Sequence, residues 1–327
     1  MDKQHIFDKI VAYQTIIIHM HMRPDGDCYG AGFGLKHIIQ ESFPEKKVYV
    51  VGETADYVKF VGDVDSIPDE TYQGALSIVV DTASRDRVAD QRYALGEYVI
   101  KIDHHLPVDH YGDYQYVDIT RPATSQIILE FYLEFAPILK LNMAAAKALY
   151  TGIVTDTGRF RFRSVTSDTF KAVAHLLDFG LDFTEVLMTL DVKSENLMRL
   201  QGYVLQNFQK TQHGVAYIEL RPETIEQFGV SLEEATSLVN KLAALADCPV
   251  WMLFAEYENQ IVRARLRSKG PAINELAAKF QGGGHPMACG ANVGSWEEVA
   301  NLLAAGDELV KADRKSTRLN SSHRIRS

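Results

Sequence analysis

Three apolar runs near the start of the chain each stop at residues able to bind a metal ion, and this pattern narrows the fold most. Thr15-Ile16-Ile17-Ile18 leads into His19-Met20-His21-Met22-Arg23-Pro24-Asp25-Gly26-Asp27. Leu76-Ser77-Ile78-Val79-Val80 ends at Asp81, and Tyr98-Val99-Ile100-Lys101-Ile102 ends at Asp103-His104-His105. Short Ile- and Val-rich runs without clean alternation read as parallel strands buried on both faces. In open α/β sheets, ligands collect in the crevice beyond the carboxyl ends of such strands. Three strand ends carrying carboxylates and imidazoles at one crevice define an expected metal site.

The segments between these runs support an α/β fold with a mostly parallel sheet. Tyr29 to Ser42 has helical periodicity and opens with Gly30, Ala31, Gly32 and Gly34, small residues that let a helix start approach a strand and a ligand. Lys47 to Val51 reads as another strand. Alternation of strand and helix implies parallel pairing. Helices are expected near 123–135, 142–155, 167–178 and 182–190, with Thr155-Asp156-Thr157-Gly158 ending one of them. The 191–208 stretch reads as a helical connector.

Beyond it the pattern changes. Strands are expected at 214–220, 250–255 and 260–267, the last with alternation that suggests one wet face. Helices are expected at 232–245 and after Pro271. The implied plan is a catalytic domain over 1–190, a linker over 191–208 and a smaller α/β domain over 209–312.

Asp313 to Ser327 stands apart. It resembles the in-frame translation of a DNA-sequencing adapter and has no apolar periodicity, so it is expected to be an artefactual, disordered tail. Its net charge is +4, leaving −13 of the chain's −9 for residues 1–312. Such an acidic body disfavours a long nucleic-acid duplex held by charge. It does not exclude a short anionic ligand, since bound cations and a few arginines reverse the local sign. No apolar stretch reaches the ~18 residues of a membrane span. The start has no signal-peptide plan, and Cys28, Cys248 and Cys289 form no CxxC pair. A cytoplasmic enzyme fits these features.

The loop His21-x-x-x-Asp25-x-Asp27 offers one imidazole and two carboxylates, and alternate loop residues can point at two adjacent ions. Asp81 can bridge both, and Asp156 and His104 can complete the second. Mostly oxygen donors, two nitrogens and no sulfur favour Mn(II), then Mg(II), over structural zinc. Two such ions about 3.5–4 Å apart activate a bridging water and clamp a phosphoryl oxygen. His19 reads as a structural neighbour. His37, His110, His175 and His213 stand alone and read as surface or core histidines.

The blocks His21-Met22-Arg23-Pro24-Asp25-Gly26-Asp27, Asp81-Thr82-Ala83, Asp103-His104-His105 and Asp156-Thr157-Gly158 resemble the four motifs of the DHH phosphoesterase superfamily. Arg267-Ser268-Lys269-Gly270 followed by Gly282-Gly283-Gly284-His285 is similar to the DHH-associated C-terminal domain. The order and spacing resemble its oligoribonuclease and 3'-phosphoadenosine 5'-phosphate (pAp) phosphatase branch, over nearly all of 1–312.

The resemblance implies His21, Asp25 and Asp81 on one ion, and Asp27, Asp81, His104 and Asp156 on the other. It implies that Asp103 orients its neighbours and that His105 contacts the phosphate or protonates the leaving oxygen. Cys28 departs from the Ala often found there and reads as a packed residue.

Gly283 and Gly284 are expected in an anion-binding nest, with His285 as an added donor. Arg265 and Arg267, two apart on a strand, face one side and can meet phosphates or stack on a base, with Ser268 beside them. The implied activity is hydrolysis of very short single-stranded RNA to mononucleotides, and release of the 3'-phosphate of pAp. Linear or cyclic dinucleotide cleavage, pyrophosphate cleavage and a non-catalytic nucleic-acid scaffold are the alternatives. Oligomeric state stays open, a homodimer included.

Overall fold

The computed structural model describes residues 2–257 and 260–324, with side chains through residue 316. The chain divides between Val192 and Lys193 into two compact units.

The first unit is a five-stranded sheet in the order β2-β1-β3-β4-β5. Its strands are β1 (Thr15–His19), β2 (Lys47–Val51), β3 (Leu76–Val80), β4 (Tyr98–Asp103) and β5 (Tyr114–Val117). Every pairing is parallel, and every residue of β3 is buried, as the unbroken apolar runs require. The chain leaves β1 toward one side for β2 and returns to the other side for β3. That reversal is the topological switch point at which α/β sheets bind ligands.

Among the described residues this unit has six α-helices: α1 (Lys3–Ala12), α2 (Gly26–Ser42), α3 (Thr124–Glu134), α4 (Met143–Asp156), α5 (Ser167–Asp178) and α6 (Phe183–Asp191). The first is an addition to the sequence reading: Asp2 caps it, and Ile6, Phe7 and Ile10 are its buried residues. Helices α2 and α4 cross at glycines. A Cβ on Gly152 would lie 1.9 Å from Ser125 Oγ and 2.8 Å from Asp27 Oδ1, and one on Gly30 would lie 2.7 Å from Gly152 Cα. The crossing therefore excludes side chains at both positions.

The second unit contains α7 (Glu195–Asn207), β6 (Gln209–Lys210), β7 (Val215–Leu220), α8 (Pro222–Phe228), α9 (Leu232–Ser237), β8 (Val250–Glu256) and β9 (Val262–Ser268). It closes with α10 (Asn274–Ala278), β10 (Gly283–His285), β11 (Ala288–Gly294) and α11 (Val299–Arg324). Its sheet order is β10-β11-β9-β8-β7-β6, with β7 and β8 parallel and the other pairs antiparallel. Both faces are covered. Val215, Met252 and Leu266 pack with Leu302 and Val310 of α11. Ala216, Ile218 and Leu253 pack with Leu197, Leu200 and Val204 of α7.

The segment read as a connector is thus part of this unit's core. The helix expected over 232–245 stops at Ser237 and continues as a 3-10 turn over Leu238–Leu242. Residues 313–324 extend α11, because a formed helix adds residues without a new nucleus, and Arg314 donates to the Asp247 carbonyl at 2.6 Å. The tail's last three residues lie outside the described residues.

Candidate metal centre

The carboxyl ends of β1, β3 and β4 meet the start of α2 and the end of α4 at one place. The Asp81 amide donates to the Ile102 carbonyl at 2.9 Å, which aligns the end of β3 with the end of β4. Asp81 has φ 54, a left-handed conformation that a non-glycine residue holds only under constraint. It places the carboxylate between two imidazoles. Asp81 Oδ2 lies 3.6 Å from His21 Nε2, and Asp81 Oδ1 lies 3.4 Å from His104 Nε2.

On the first side, His21 Nε2 is also 3.8 Å from Asp25 Oδ1. His21 Nδ1 contacts the Met22 carbonyl at 3.0 Å; as the donor there it leaves Nε2 with a free lone pair. Asp25 caps α2, accepting from the Asp27 and Cys28 amides. On the second side, His104 Nε2 is 3.3 Å from Asp156 Oδ2 and 3.9 Å from Asp27 Oδ2. Asp27 is fully buried and accepts from the amides of Thr124 and Ser125 at 2.6 and 2.9 Å.

This set of donors fits divalent cations. Donor atoms of Asp81, His104 and His105, and of Asp27, His104 and Asp156, cluster within 4.8 Å of one another. The buried Nε2 of His104 has no hydrogen-bond partner. Burial, then the charge of Asp27, lifts the Asp81 carboxyl to about 8. Burial and neighbouring carboxylates also raise Asp156 well above its ordinary value. Carboxylates crowded this closely need a compensating positive charge, which a divalent ion supplies.

A buried pair behind the centre was absent from the sequence reading. Lys101 and Asp103 are both fully buried, with Nζ 3.3 Å from Asp103 Oδ2. Lys101 also donates to the Ala83 carbonyl at 2.8 Å. Asp103 Oδ1 accepts from His105 Nδ1 at 2.8 Å, and burial is outweighed by His105 and Lys101, holding this carboxyl down to about 2. The lysine inside the apolar run of β4 was the available signal. Thr124, whose Oγ1 donates to Asp81 Oδ1 at 2.9 Å, was missed too; Ala123-Thr124-Ser125 gave only a helix start.

Cys28 is buried and accepts from the His21 amide at 3.3 Å. Its Sγ falls within 4.8 Å of donor atoms of His21 and Asp81. His19 is fully buried without a partner on either ring nitrogen, and burial lowers it to about 3. It is a neighbour of the strand ends and belongs to none of the donor clusters.

In the second unit, Arg263 and Arg265 line a cleft of about 400 Å³ with Tyr257, Gln281 and Asn292. Arg267 is directed elsewhere, donating to the Leu266 carbonyl at 2.9 Å. Ser268 is buried; its hydroxyl donates to the Pro271 carbonyl at 2.6 Å and accepts from the Gly270 amide. The expected nest takes another form. Gly283, Gly284 and His285 form an exposed strand paired antiparallel with β11. A Cβ on Gly282 would lie 2.1 Å from the Gly290 carbonyl, and one on Gly284 2.6 Å from that of Ala288. Close strand approach explains glycine at 282 and 284, while His285 sits at the tip of the hairpin.

The DHH family, N-terminal domain, matches residues 15–153, and the DHHA1 domain matches residues 212–312. The chain belongs to the DHH phosphoesterase family, whose members are metal-dependent hydrolases. It is 41% identical over 310 residues to the bifunctional oligoribonuclease and PAP phosphatase NrnA of Bacillus subtilis, spanning 94% of this chain and 99% of the relative. It is 42% identical to the probable bifunctional oligoribonuclease and PAP phosphatase NrnA of Streptococcus mutans, spanning 91% and 98%. The crystal structure of an exopolyphosphatase-related protein from Bacteroides fragilis superposes with a TM-score of 0.84 at 25% identity, covering 94% of this chain and 97% of that one.

Proposed function

We propose that this chain hydrolyses phosphodiester bonds of very short single-stranded RNAs, releasing mononucleotides, and removes the 3'-phosphate of pAp. The observation that carries the reaction class is Asp81, whose two oxygens face His21 and His104 on opposite sides. The substrates follow from the names of relatives that align over nearly the whole chain.

His21, Asp25 and Asp81 would hold one cation, and Asp27, Asp81, His104 and Asp156 the other. Carboxylates mixed with imidazoles favour Mn(II) over Mg(II). When bound, such ions supply Lewis acidity toward the phosphoryl oxygens and lower the pKa of a water. The remaining chemistry belongs to the chain. Asp103 fixes the ring of His105 through Nδ1, leaving Nε2 to contact the phosphate or protonate the leaving oxygen. Within the second unit, Arg265, Gly283, Gly284 and His285 would contact the substrate, and Arg267, turned to the Leu266 carbonyl, would support that surface. Ser268 supports them through its turn. Among the described residues no helix is long and apolar enough to cross a membrane, and a cytoplasmic enzyme is the proposed setting. The net charge of −9 favours short substrates over a long duplex, and a homodimer is compatible with this scheme.

Metal removal tests the proposal. After chelation, phosphate release from pAp should fall to background. Mn(II) should restore it at lower concentration than Mg(II). Undiminished turnover in excess chelator would contradict the assignment of these carboxylates.

A further inference from the structure

The loop that follows Asp156 has an unusual backbone and an unusual surface. Gly158, Arg159 and Phe160 have φ of 55, 59 and 61 in succession, although L-residues visit this region singly. The conformation is held from several directions. Arg159 makes a bidentate pair with Asp191 at 2.9 and 2.6 Å. The Arg159 amide donates to the Val154 carbonyl at 2.8 Å. The Phe160 amide donates to Thr157 Oγ1 at 3.1 Å, and its ring lies 5.3 Å from that of Phe170.

The fold-back ties the next residues to the end of α4. The amides of Arg161 and Phe162 both donate to the carbonyl of Thr157, at 3.0 and 3.1 Å, and Thr157 follows Asp156 directly. Arg161, Phe162 and Arg163 are exposed, Phe162 at 53%. The Phe162 ring lies over Gly158, where a Cβ would come within 2.5 Å of it. The side chains of Arg161 and Arg163 make no ion pair or hydrogen bond among the described residues. This is conspicuous in a chain with 43 acidic and 34 basic residues. Two unpaired guanidinium groups flanking an exposed aromatic ring match the chemistry of a single strand, with phosphates for the arginines and a base face for the ring.

We propose that Arg161-Phe162-Arg163 is a binding site for a nucleotide of single-stranded RNA next to the scissile phosphate, separating oligonucleotides from mononucleoside substrates. The inference rests on the short-RNA hydrolase reading above and adds the element that recognises RNA within the first unit. Strain in the 158–160 backbone serves this site by turning the triplet outward while its amides stay tied to Thr157.

The test is the double variant Arg161→Gln/Arg163→Gln in the full chain. Its KM for a five-nucleotide RNA should rise about tenfold, and the log–log salt slope of binding should shrink by about 1.4, two single-strand contacts at ~0.7 each. Its kinetic constants for pAp should be unchanged. Phe162→Leu, which keeps an apolar contact with Gly158, should also weaken the RNA substrate and spare pAp. An equal loss on RNA and pAp would overturn the proposal, because the loop would then only support Asp156. An unchanged KM for RNA would overturn it as well. If the wild type cleaves no RNA, the functional reading fails separately. Fluorescence anisotropy with a labelled five-nucleotide RNA in chelator then decides for the loop: weaker binding by the double variant upholds it, and equal binding overturns it.

Discussion

Replacing Asp81 with Ala should reduce turnover of a dinucleotide and of pAp by about a thousandfold or more, as expected when several kcal/mol of charge stabilisation is lost. No other carboxylate in the centre faces both His21 and His104, so its loss affects both cation positions at once. Bound-metal stoichiometry should fall in parallel. The effect on stability has the opposite sign. Without metal, Asp81 is raised to about 8, from burial first and the Asp27 charge second. A carboxyl whose folded pKa exceeds its unfolded value costs stability as pH rises above the unfolded value. At neutral pH the isosteric Asp81→Asn should therefore raise the Tm of the metal-free protein, by roughly 2–4 °C for each kcal/mol relieved. Calorimetry in chelator, set beside the turnover assay, separates the two effects. Near-normal turnover in Asp81→Ala at saturating metal would contradict the bridging role.

Lys101→Met should destabilise the first unit by about 3–5 kcal/mol, since it leaves the Asp103 carboxylate buried without its cation. Asp103 Oδ2 has no hydrogen-bond partner and lies 3.3 Å from Lys101 Nζ, while Oδ1 is committed to His105. The double variant Lys101→Met/Asp103→Asn removes both charges and should recover most of that loss. It should not recover activity, because a neutral amide holds the His105 ring less firmly than a carboxylate. Urea titration of the single and double variants gives the coupling. A single variant within about 0.5 kcal/mol of wild type, the range of ordinary surface substitutions, would show that the buried pair is not needed.

The first unit was legible because its strands are continuous Ile and Val runs that end in ligand-type residues. Ile16, Ile17 and Ile18 are fully buried, and His104 Nε2 lies 3.4 Å from Asp81 and 3.3 Å from Asp156. What escaped notice were residues whose task depends on distant neighbours. Thr124 and Ser125 look like any helix start, and only the fold brings them to Asp81 and Asp27. Lys101 was visible as a charge in an apolar run, but its partner at Asp103 depended on strand geometry.

The second unit was harder to read. β11 is Ala-Cys-Gly-Ala-Asn-Val-Gly, with a single β-branched residue, so it carries little strand signal. Without β11 the adjoining glycines looked like a nest; paired with it, they form a hairpin strand.

The most direct measurement is product analysis with Mn(II) on protein truncated after Ala312. The substrates are a 5'-phosphorylated RNA dinucleotide, an RNA of about two dozen nucleotides, pAp and pyrophosphate, with products separated by ion-pair chromatography. The expected result is mononucleotides from the dinucleotide, AMP from pAp and little action on the long RNA, whose charge an acidic protein holds poorly. No cleavage of either nucleotide substrate with metal demonstrably bound would contradict it, and release of phosphate from pyrophosphate alone would point to different chemistry at the same carboxylates.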